Sequence, residues 1–396
     1  MILFIGHYYS ENIVKKRKIP FRNAAGSNRI LRIAQSLAAN KKAIEIISPG
    51  ISLWSKPISK SACKIQNEEV GGVSIYYAKT SIHFILNLLT SVFSIINRIR
   101  QYSKQSDSLT IIIYNFSIEF YFIALYIKIF TKAKIINNIE DISVPKLMDW
   151  KRSSEVRPFQ QFIFFFCMSG IARISDGFIL PTHRFLQFLP IKKKPFIIVT
   201  GCFTSLPIPQ FKCKQLINIL FSGKVEFEHG IDILINAMKK LHPNLANRIK
   251  LNICGDGSKT TWLKEQLSTI DLEFVSYRGF LTDIEYNSLM KESDICLVLQ
   301  NPIGRYANLK TPSKFYEYYA NGKCVIASDV GDYHNLPNNS FLKLDLYSTE
   351  GLNEILKSIL PDKLQIEAIK HSAYNYARYN FGYSEVGNNI IKELGL

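Results

Sequence analysis

Short apolar segments alternate with segments of helical length along this chain, and that alternation constrains its fold more than any other feature. In the first half, ILFI (2–5) precedes the helical segment 27–40, and TIIIYN (110–115) precedes the helical segment 118–130. Strands that alternate with amphipathic helices predict a parallel sheet with right-handed crossover connections. Further strands of the first half are expected at 43–48, 72–78, 133–141, 176–182 and 195–201.

The same pattern begins again after residue 217. Strands are expected at 218–224, 249–257, 274–280, 294–300 and 324–331, and helices at 230–241, 260–267, 284–293 and 311–323. Residues 199–215, which include two prolines and show no periodicity, separate the two series. We therefore expect an α/β protein with two Rossmann-like, doubly wound domains facing a cleft, 1–199 and 200–370. A C-terminal helix at 371–396 is expected to pack back on the first domain.

The formal net charge of +17 resides in the first half of the chain. Residues 1–195 contain 28 Lys and Arg against 11 Asp and Glu, whereas residues 196–396 contain 21 of each. This asymmetry indicates that one half faces an anionic partner, either nucleic acid or a membrane surface. No sequence pattern typical of specific nucleic-acid binding accompanies it. Segments 81–104 and 157–173, apolar with basic flanks, suit helices in the plane of a membrane interface, or helices that simply pack on the sheet.

The cysteines indicate reduced thiols. The chain has seven, and they are scattered, with no Cys-x-x-Cys pair, which argues against a disulfide framework or a zinc ribbon. The opening MILFIGHYYSE resembles a strand more than a signal peptide. No charge-free apolar run reaches the length of a transmembrane helix. We expect a cytoplasmic protein, peripheral on the inner face of the membrane.

The segment 306–331 contains the most informative helix. Thr311 is a good N-cap and Pro312 suits the first helical position, so the backbone of 312–314 should point from a loop toward a ligand. Such a helix start binds phosphate. Lys314 and Glu317 share a face, and a carboxylate one turn into the helix could accept both hydroxyls of a ribose. The alternative is an acidic residue paired with a surface lysine.

Four segments in fixed order resemble the donor domain of retaining glycosyltransferases of the GT-B fold, family 4. They are FSGKVEFEHGIDILINAM (221–238), LNICGDG (251–257), the run from Val275 to Gln300, and TPSKFYEYYANGKCVIASDVG (311–331). The resemblance is weaker elsewhere. It includes AAGSNR (24–29), with Gly26 where the family has its glycine-rich N-terminal loop.

This resemblance implies a nucleotide diphosphate sugar as donor, a UDP or GDP sugar, bound with no metal and no cofactor. Glu317 then binds the ribose. Lys224, after Gly223, and His229 stand where the family has an Arg and a Lys that neutralise the diphosphate. The remaining donor-binding residues implied are Gly255, Gly279, Phe280, Leu281, Asn308, Leu309, Thr311, Pro312, Ser313 and Lys314.

Two positions depart from the family pattern. His229 is positive only if its pKa is held up, for instance by phosphate. The family often has a Glu eight positions before the ribose-binding Glu, and Leu309 stands there instead. Backbone amides of Asn308 and Leu309, or side chains of the loop 304–310, are then expected to hold the sugar hydroxyls.

Polar residues that follow strands of the first domain are candidates for the acceptor side. Asn115 ends one strand, and Glu140 and Asp141 end the next. One carboxylate could orient the acceptor hydroxyl or take its proton, or the pair could be structural. His7, after the first strand, is a further candidate.

The resemblance implies front-face transfer with retention, in which Lys224, His229 and Lys314 stabilise charge on the leaving phosphate. We expect a saccharide or lipid-linked saccharide acceptor, in cell-surface polysaccharide biosynthesis, with an anionic membrane surface as partner. The alternatives are a nucleotide-sugar 2-epimerase of the same fold and a non-catalytic relative that binds nucleotide sugars.

Overall fold

The protein folds into two α/β units, each built on its own sheet. The computed structural model describes residues 1–17, 19, 24–50, 63–81, 84–106, 108–142, 158–191, 193–204, 215–269, 272–303, 307–309 and 311–396. Unit 1 comprises Met1–Cys202 and Gly382–Leu396, and unit 2 comprises Phe203–Phe381.

The strands and helices follow the alternation of the sequence. The strands are β1 (Ile2–Ile5), β2 (Ile44–Ser48), β3 (Gln66–Val70), β4 (Val73–Tyr77), β5 (Thr110–Tyr114), β6 (Lys134–Asn138), β7 (Gly177–Leu180), β8 (Phe196–Ile198), β9 (Ile217–Ser222), β10 (Ile249–Cys254), β11 (Val275–Gly279), β12 (Ile295–Val298), β13 (Cys324–Ser328) and β14 (Leu342–Leu344). The helices are α1 (Glu11–Arg17), α2 (Ala24–Ala39), α3 (Phe84–Ser103), α4 (Ile118–Phe130), α5 (Pro158–Ile174), α6 (Ile231–Lys239), α7 (Pro243–Ala246), α8 (Thr260–Thr269), α9 (Asp283–Glu292), α10 (Ser313–Ala320), α11 (Thr349–Ile359), α12 (Lys363–Asn380) and α13 (Tyr383–Leu394).

The sheet of unit 1 has eight strands in the order β3-β4-β2-β1-β5-β6-β7-β8. All neighbouring pairs are parallel except β3 and β4. The central strands are apolar on both faces because helices cover both. Ile2 and Phe4 pack toward α2 and α13, whereas Leu3 and Ile5 pack toward α3, α4 and α5. This confirms the predicted doubly wound arrangement.

The antiparallel strand β3 was not predicted from the sequence. Its residues QNEEV alternate between half-buried and exposed, as on a sheet edge, and give little apolar signal. Gly71 and Gly72 join it to β4 with φ of 55° and 76°. Two positive φ values in a two-residue connection are the signature of a type I′ hairpin, so the Gly-Gly pair was the available signal.

The sheet of unit 2 has six parallel strands in the order β11-β10-β9-β12-β13-β14. One face packs on α6, α8, α11 and the start of α12, and the other on α9, α10 and the rest of α12. The chain crosses to the other side of β9 between β11 and β12. The carboxyl ends beside that switch are where open α/β sheets bind ligands.

The C-terminal part of the chain differs from the expected single helix at 371–396. It forms two helices, and residues 381–382 separate them. The helix α12 belongs to unit 2, while α13 packs against α2 in unit 1. Gly387 allows this close contact, because a Cβ there would lie 2.0 Å from the carbonyl oxygen of Ser36.

Among the described residues, six cysteines are not in disulfide bonds. Within the same residues, no helix is both long enough and apolar enough to cross a membrane.

Candidate functional site

The loops after β9, β10 and β11 meet at the carboxyl edge of the unit 2 sheet. Gly223 N donates to the carbonyl of Cys254 at 3.1 Å, and Gly255 N donates to the carbonyl of Gly279 at 2.8 Å. A Cβ on Gly255, whose φ is 126°, would lie 1.8 Å from the carbonyl oxygen of Gly223. Only glycine fits at this crossing, so three of the predicted donor-binding positions lie side by side.

Glu226 ties the loop after β9 to the loop after β10. Its carboxylate accepts hydrogen bonds from the backbone N and the Oγ of Ser258, both at 2.6 Å. These bonds lower the pKa of the Glu226 carboxyl. The sequence reasoning did not identify Glu226, although an acid beside Lys224 was the available signal.

Lys224 and His229 lie on the loop that Glu226 holds. Lys224 is exposed and His229 is half-buried. His229 ends a 3₁₀ turn, Phe227–His229, and Gly230 follows with φ of 74° before α6 begins. The carbonyl of Glu228 accepts from Asn301 N at 2.8 Å, which joins this turn to the loop after β12.

The helix α10 begins one residue later than predicted. Pro312 is the N-cap and Ser313 the first helical residue, with no side-chain capping bond. The prediction of Thr311 as N-cap was therefore wrong. Its Oγ1 is buried and has no hydrogen-bond partner among the described residues. Pro312 has no N–H, so the amides that the first turn leaves available are those of Ser313 and Lys314.

Lys314 and Glu317 share a face of α10, as predicted, and they form the ion pair that the sequence analysis gave as the alternative to ribose binding. Lys314 Nζ lies 3.0 Å from Glu317 Oε2, and the two side chains are 36% and 20% exposed. Lys314 Nζ also lies 3.8 Å from the ring centroid of Tyr286 on α9, a cation–π contact. Both charged groups are therefore held in place one turn into the helix, partly open to solvent.

Other predicted donor-side residues lie around α10. Phe280, after β11, is 87% exposed, and Leu281 is half-buried. Leu309 belongs to a short 3₁₀ turn, Ala307–Leu309. The side chain of Asn308 and residues 304–306 and 310 of the expected loop lie outside the described residues.

In unit 1, Asn115 organises the acidic pair that follows β6. Asn115 has a left-handed φ of 54°. Its Oδ1 accepts from the backbone N of Glu140 at 2.6 Å and of Asp141 at 3.2 Å. The hydroxyl of Tyr114 donates to Glu140. Burial raises the pKa of the Asp141 carboxyl because it removes water from the charged form. The neighbouring charge of Glu140 raises it further.

His7 forms a second polar group at the same edge. Its Nε2 lies 2.8 Å from Glu119 Oε1, and its Nδ1 lies 3.1 Å from the hydroxyl of Tyr9. The Glu119 side chain is 3% exposed, and its Oε2 has no hydrogen-bond partner among the described residues. Glu119 lies in the first turn of α4, where the helix dipole favours a carboxylate. The sequence analysis did not identify Glu119 as a candidate site residue.

Gly26 does not lie in a loop. Residues 24–29 form the start of α2, and Gly26 is buried in its first turn. The expected resemblance of AAGSNR to a glycine-rich loop was therefore wrong in its local structure. Among the described residues, no three His, Cys, Asp or Glu side chains are grouped as a metal site.

A family model and several solved structures resemble this chain. Residues 217–345 match the family model described as glycosyl transferases group 1. No curated protein matches the chain in sequence at a significant level.

Several solved structures share the fold across the whole chain. Sucrose-phosphate synthase from Thermosynechococcus elongatus has a TM-score of 0.67 and 14% identity, covering 99% of this chain and 97% of that one. For WaaG, a glycosyltransferase involved in lipopolysaccharide biosynthesis, the TM-score is 0.62 and the identity 15%, covering 100% of both chains. For Anabaena HepE in complex with UDP and glucose, the TM-score is 0.64 and the identity 14%, covering 100% of this chain and 99% of that one. Residues 217–345 thus match the glycosyl transferases group 1 family, and the chain has the fold of the GT-B glycosyltransferases.

Proposed function

We propose that this protein transfers a sugar from a nucleotide diphosphate sugar to a hydroxyl of an acceptor. The observation that carries the proposal is the match of residues 217–345 to the glycosyl transferases group 1 family. Within that segment Lys314 and Glu317 lie 3.0 Å apart in the first turns of α10, both partly open to solvent. A cation and a carboxylate at a helix start suit a diphosphate and the ribose attached to it.

The donor diphosphate binds at the start of α10. The amides of Ser313 and Lys314 and the ammonium of Lys314 face it, Lys224 supplies further positive charge, and His229 supplies a hydrogen-bond donor. Negative charge grows on the leaving phosphate as the glycosidic bond breaks, and these groups stabilise it. Glu317 accepts the ribose hydroxyls, and Phe280 and Leu281 line the place of the base.

A UDP sugar is the favoured donor, and a GDP sugar is the alternative. HepE, which shares the fold, has been solved with UDP and with UDP-glucose. We further propose that transfer retains the anomeric configuration and needs no metal. In such a reaction the charge on the diphosphate is met by the chain's own lysines and amides.

The acceptor is a saccharide or a lipid-linked saccharide of cell-surface polysaccharide biosynthesis. Asp141 and Glu140, positioned by Asn115, orient its hydroxyl in this proposal, with His7 and Glu119 beside them. The positive charge of the first half supports attachment to the inner face of an anionic membrane, where lipid-linked acceptors lie.

A panel of UDP, GDP, ADP and CMP sugars tests the donor. Each is added at increasing concentration to the wild type and to Glu317→Ala, and thermal unfolding is followed. A donor at 100 times its Kd adds about 2.7 kcal/mol to the stability of the wild type. The shift should be lost in Glu317→Ala and kept in the control Glu354→Ala, an exposed glutamate on α11.

Product analysis by NMR then identifies the reaction. Transfer or slow hydrolysis with an α-configured product from an α-configured donor supports retention. An epimerised nucleotide sugar would show a 2-epimerase instead. Donor binding with no change of the donor under any condition would show a non-catalytic binding protein.

A further inference from the structure

The helices α3, α4 and α5 expose large apolar side chains on the side that faces away from the sheet. Eight of these side chains are between 48% and 69% exposed: Leu86, Leu89 and Phe93 on α3, Phe122, Ile129 and Phe130 on α4, and Phe162 and Phe166 on α5. The other sides of the same helices pack on the sheet through buried residues such as Ile95, Ile123 and Ile171. We call the outward side of these helices the aromatic face.

Contacts between the helices make the aromatic face continuous. Tyr121 of α4 meets Phe166 of α5 with ring centroids 5.2 Å apart. Gly170 allows this, because a Cβ there would lie 2.3 Å from the ring of Tyr121. On the other side, Arg100 Nε of α3 donates to the hydroxyl of Tyr126 at 2.8 Å, and Tyr126 stacks on Phe130 at 5.2 Å.

The charges beside the aromatic face are almost all positive. The sequences of α3 and α5 contain no Asp or Glu, and the one acid of α4, Glu119, is buried against His7. Asp176, after α5, pairs with Lys128 at 3.2 Å. Arg100, Lys104, Lys132 and Arg173 are exposed at the ends of the three helices or just beyond.

Exposed aromatic and aliphatic groups with a basic rim, on three helices whose one carboxylate is buried, fit an anionic lipid surface. Basic residues near such a surface are attracted by its negative potential. A second copy of this chain is a poorer occupant, because two identical cationic faces would repel each other.

We propose that the aromatic face is the membrane-binding surface of the protein and that it inserts α4, with its neighbours, into the interface of an anionic bilayer. The inference deepens the proposed peripheral attachment and rests on it. Glu119 and His7 lie at the N-terminal end of α4, so a lipid-linked acceptor would reach the carboxyl edge of the unit 1 sheet along this helix.

The test is cosedimentation with phosphatidylcholine vesicles that contain or lack phosphatidylglycerol, at low and high salt. Wild type should bind the anionic vesicles and lose much of this binding at high salt. The triple variant Phe93→Ser, Phe130→Ser, Phe166→Ser should lower the partition coefficient by roughly tenfold or more. The control Leu364→Ser, at an 80% exposed leucine of α12 in unit 2, should bind as the wild type does.

A second variant tests the charge without touching the apolar groups. Lys104→Gln, Lys132→Gln and Arg173→Gln together should weaken binding at low salt and reduce its dependence on salt. Far-ultraviolet circular dichroism and the donor-induced thermal shift report whether each variant is folded.

Three results would overturn the inference: no binding of the wild type, equal binding of the wild type and the triple variant, or a dimer in sedimentation velocity that the triple variant abolishes. The donor-induced shift separates this inference from the enzymatic proposal. If the wild type fails to bind vesicles but keeps the donor-induced thermal shift, the membrane-binding inference fails and the proposed function stands. If the wild type shows no donor-induced shift, the proposed function fails.

Discussion

At the scale of single residues, Gly255 shows how closely the loops of unit 2 approach. Its positive φ and the carbonyl of Gly223 both exclude a side chain. We predict that Gly255→Ala lowers the free energy of unfolding by about 2–4 kcal/mol.

The control for this change is Gly72→Ala, where φ is 76° but no atom lies within 4 Å of the new Cβ. Backbone strain alone should cost about 1 kcal/mol there. Urea denaturation measures both, and an equal loss in the two variants would contradict the close approach at Gly255.

His7 and Glu119 support a second prediction. His7→Ala leaves the buried Glu119 carboxylate without its ring partner, so the free energy of unfolding should fall by about 1–3 kcal/mol. Glu119→Gln keeps an amide oxygen that can accept from Nε2, and it should cost less. Urea denaturation measures the loss of stability in each variant, and the loss in His7→Ala should be the larger one.

The same two variants test a role on the acceptor side. Sugar transfer should slow in both, while the donor-induced thermal shift stays at the wild-type value, because neither residue belongs to unit 2. A reduced donor shift in either variant would place the pair in donor binding instead.

At the scale of elements, α13 packs on α2 through the hydroxyl of Tyr383. It donates to Gln35 Oε1 at 2.8 Å, and burial raises its pKa to about 12. A group whose pKa is raised on folding stabilises the fold below its unfolded pKa of about 10. That contribution is lost as the pH rises toward 12.

We therefore predict that the difference in unfolding free energy between the wild type and Tyr383→Phe depends on pH. At pH 8 the wild type should be more stable by about 1 kcal/mol, the value of one hydrogen bond. The difference should shrink as the pH rises above 10. Urea denaturation at several pH values measures it, and a difference that grows with pH would contradict the assigned cause.

Elements with a strong apolar period could be predicted from the sequence, and elements without one could not. The buried strands β1, β5 and β9 lie where expected, because a short continuous apolar run is stable only where both of its faces are buried. The strand β3 was missed because its half-exposed residues are polar. Thr311 was given the wrong role because a Thr-Pro pair suits an N-cap, yet here Pro312 is the N-cap and the Thr311 hydroxyl is buried without a capping bond.

At the scale of the whole molecule, the two units should respond differently to a donor. Every residue proposed to bind the nucleotide belongs to unit 2, as does Trp262 on α8. We predict that a UDP sugar shifts the unfolding transition of unit 2 to higher urea, followed by the fluorescence of Trp262 in the double variant Trp54→Phe, Trp150→Phe. A shift confined to amides of unit 1 in hydrogen exchange would contradict the assignment.

The sequence by itself determined the two parallel α/β units and the shared helix face of Lys314 and Glu317, because periodicity and helical spacing are local properties. The tertiary structure alone decided that Glu226 bonds Ser258 and that Glu119 meets His7. Each of these joins residues far apart in the chain, and only the packing of complete elements brings such residues together.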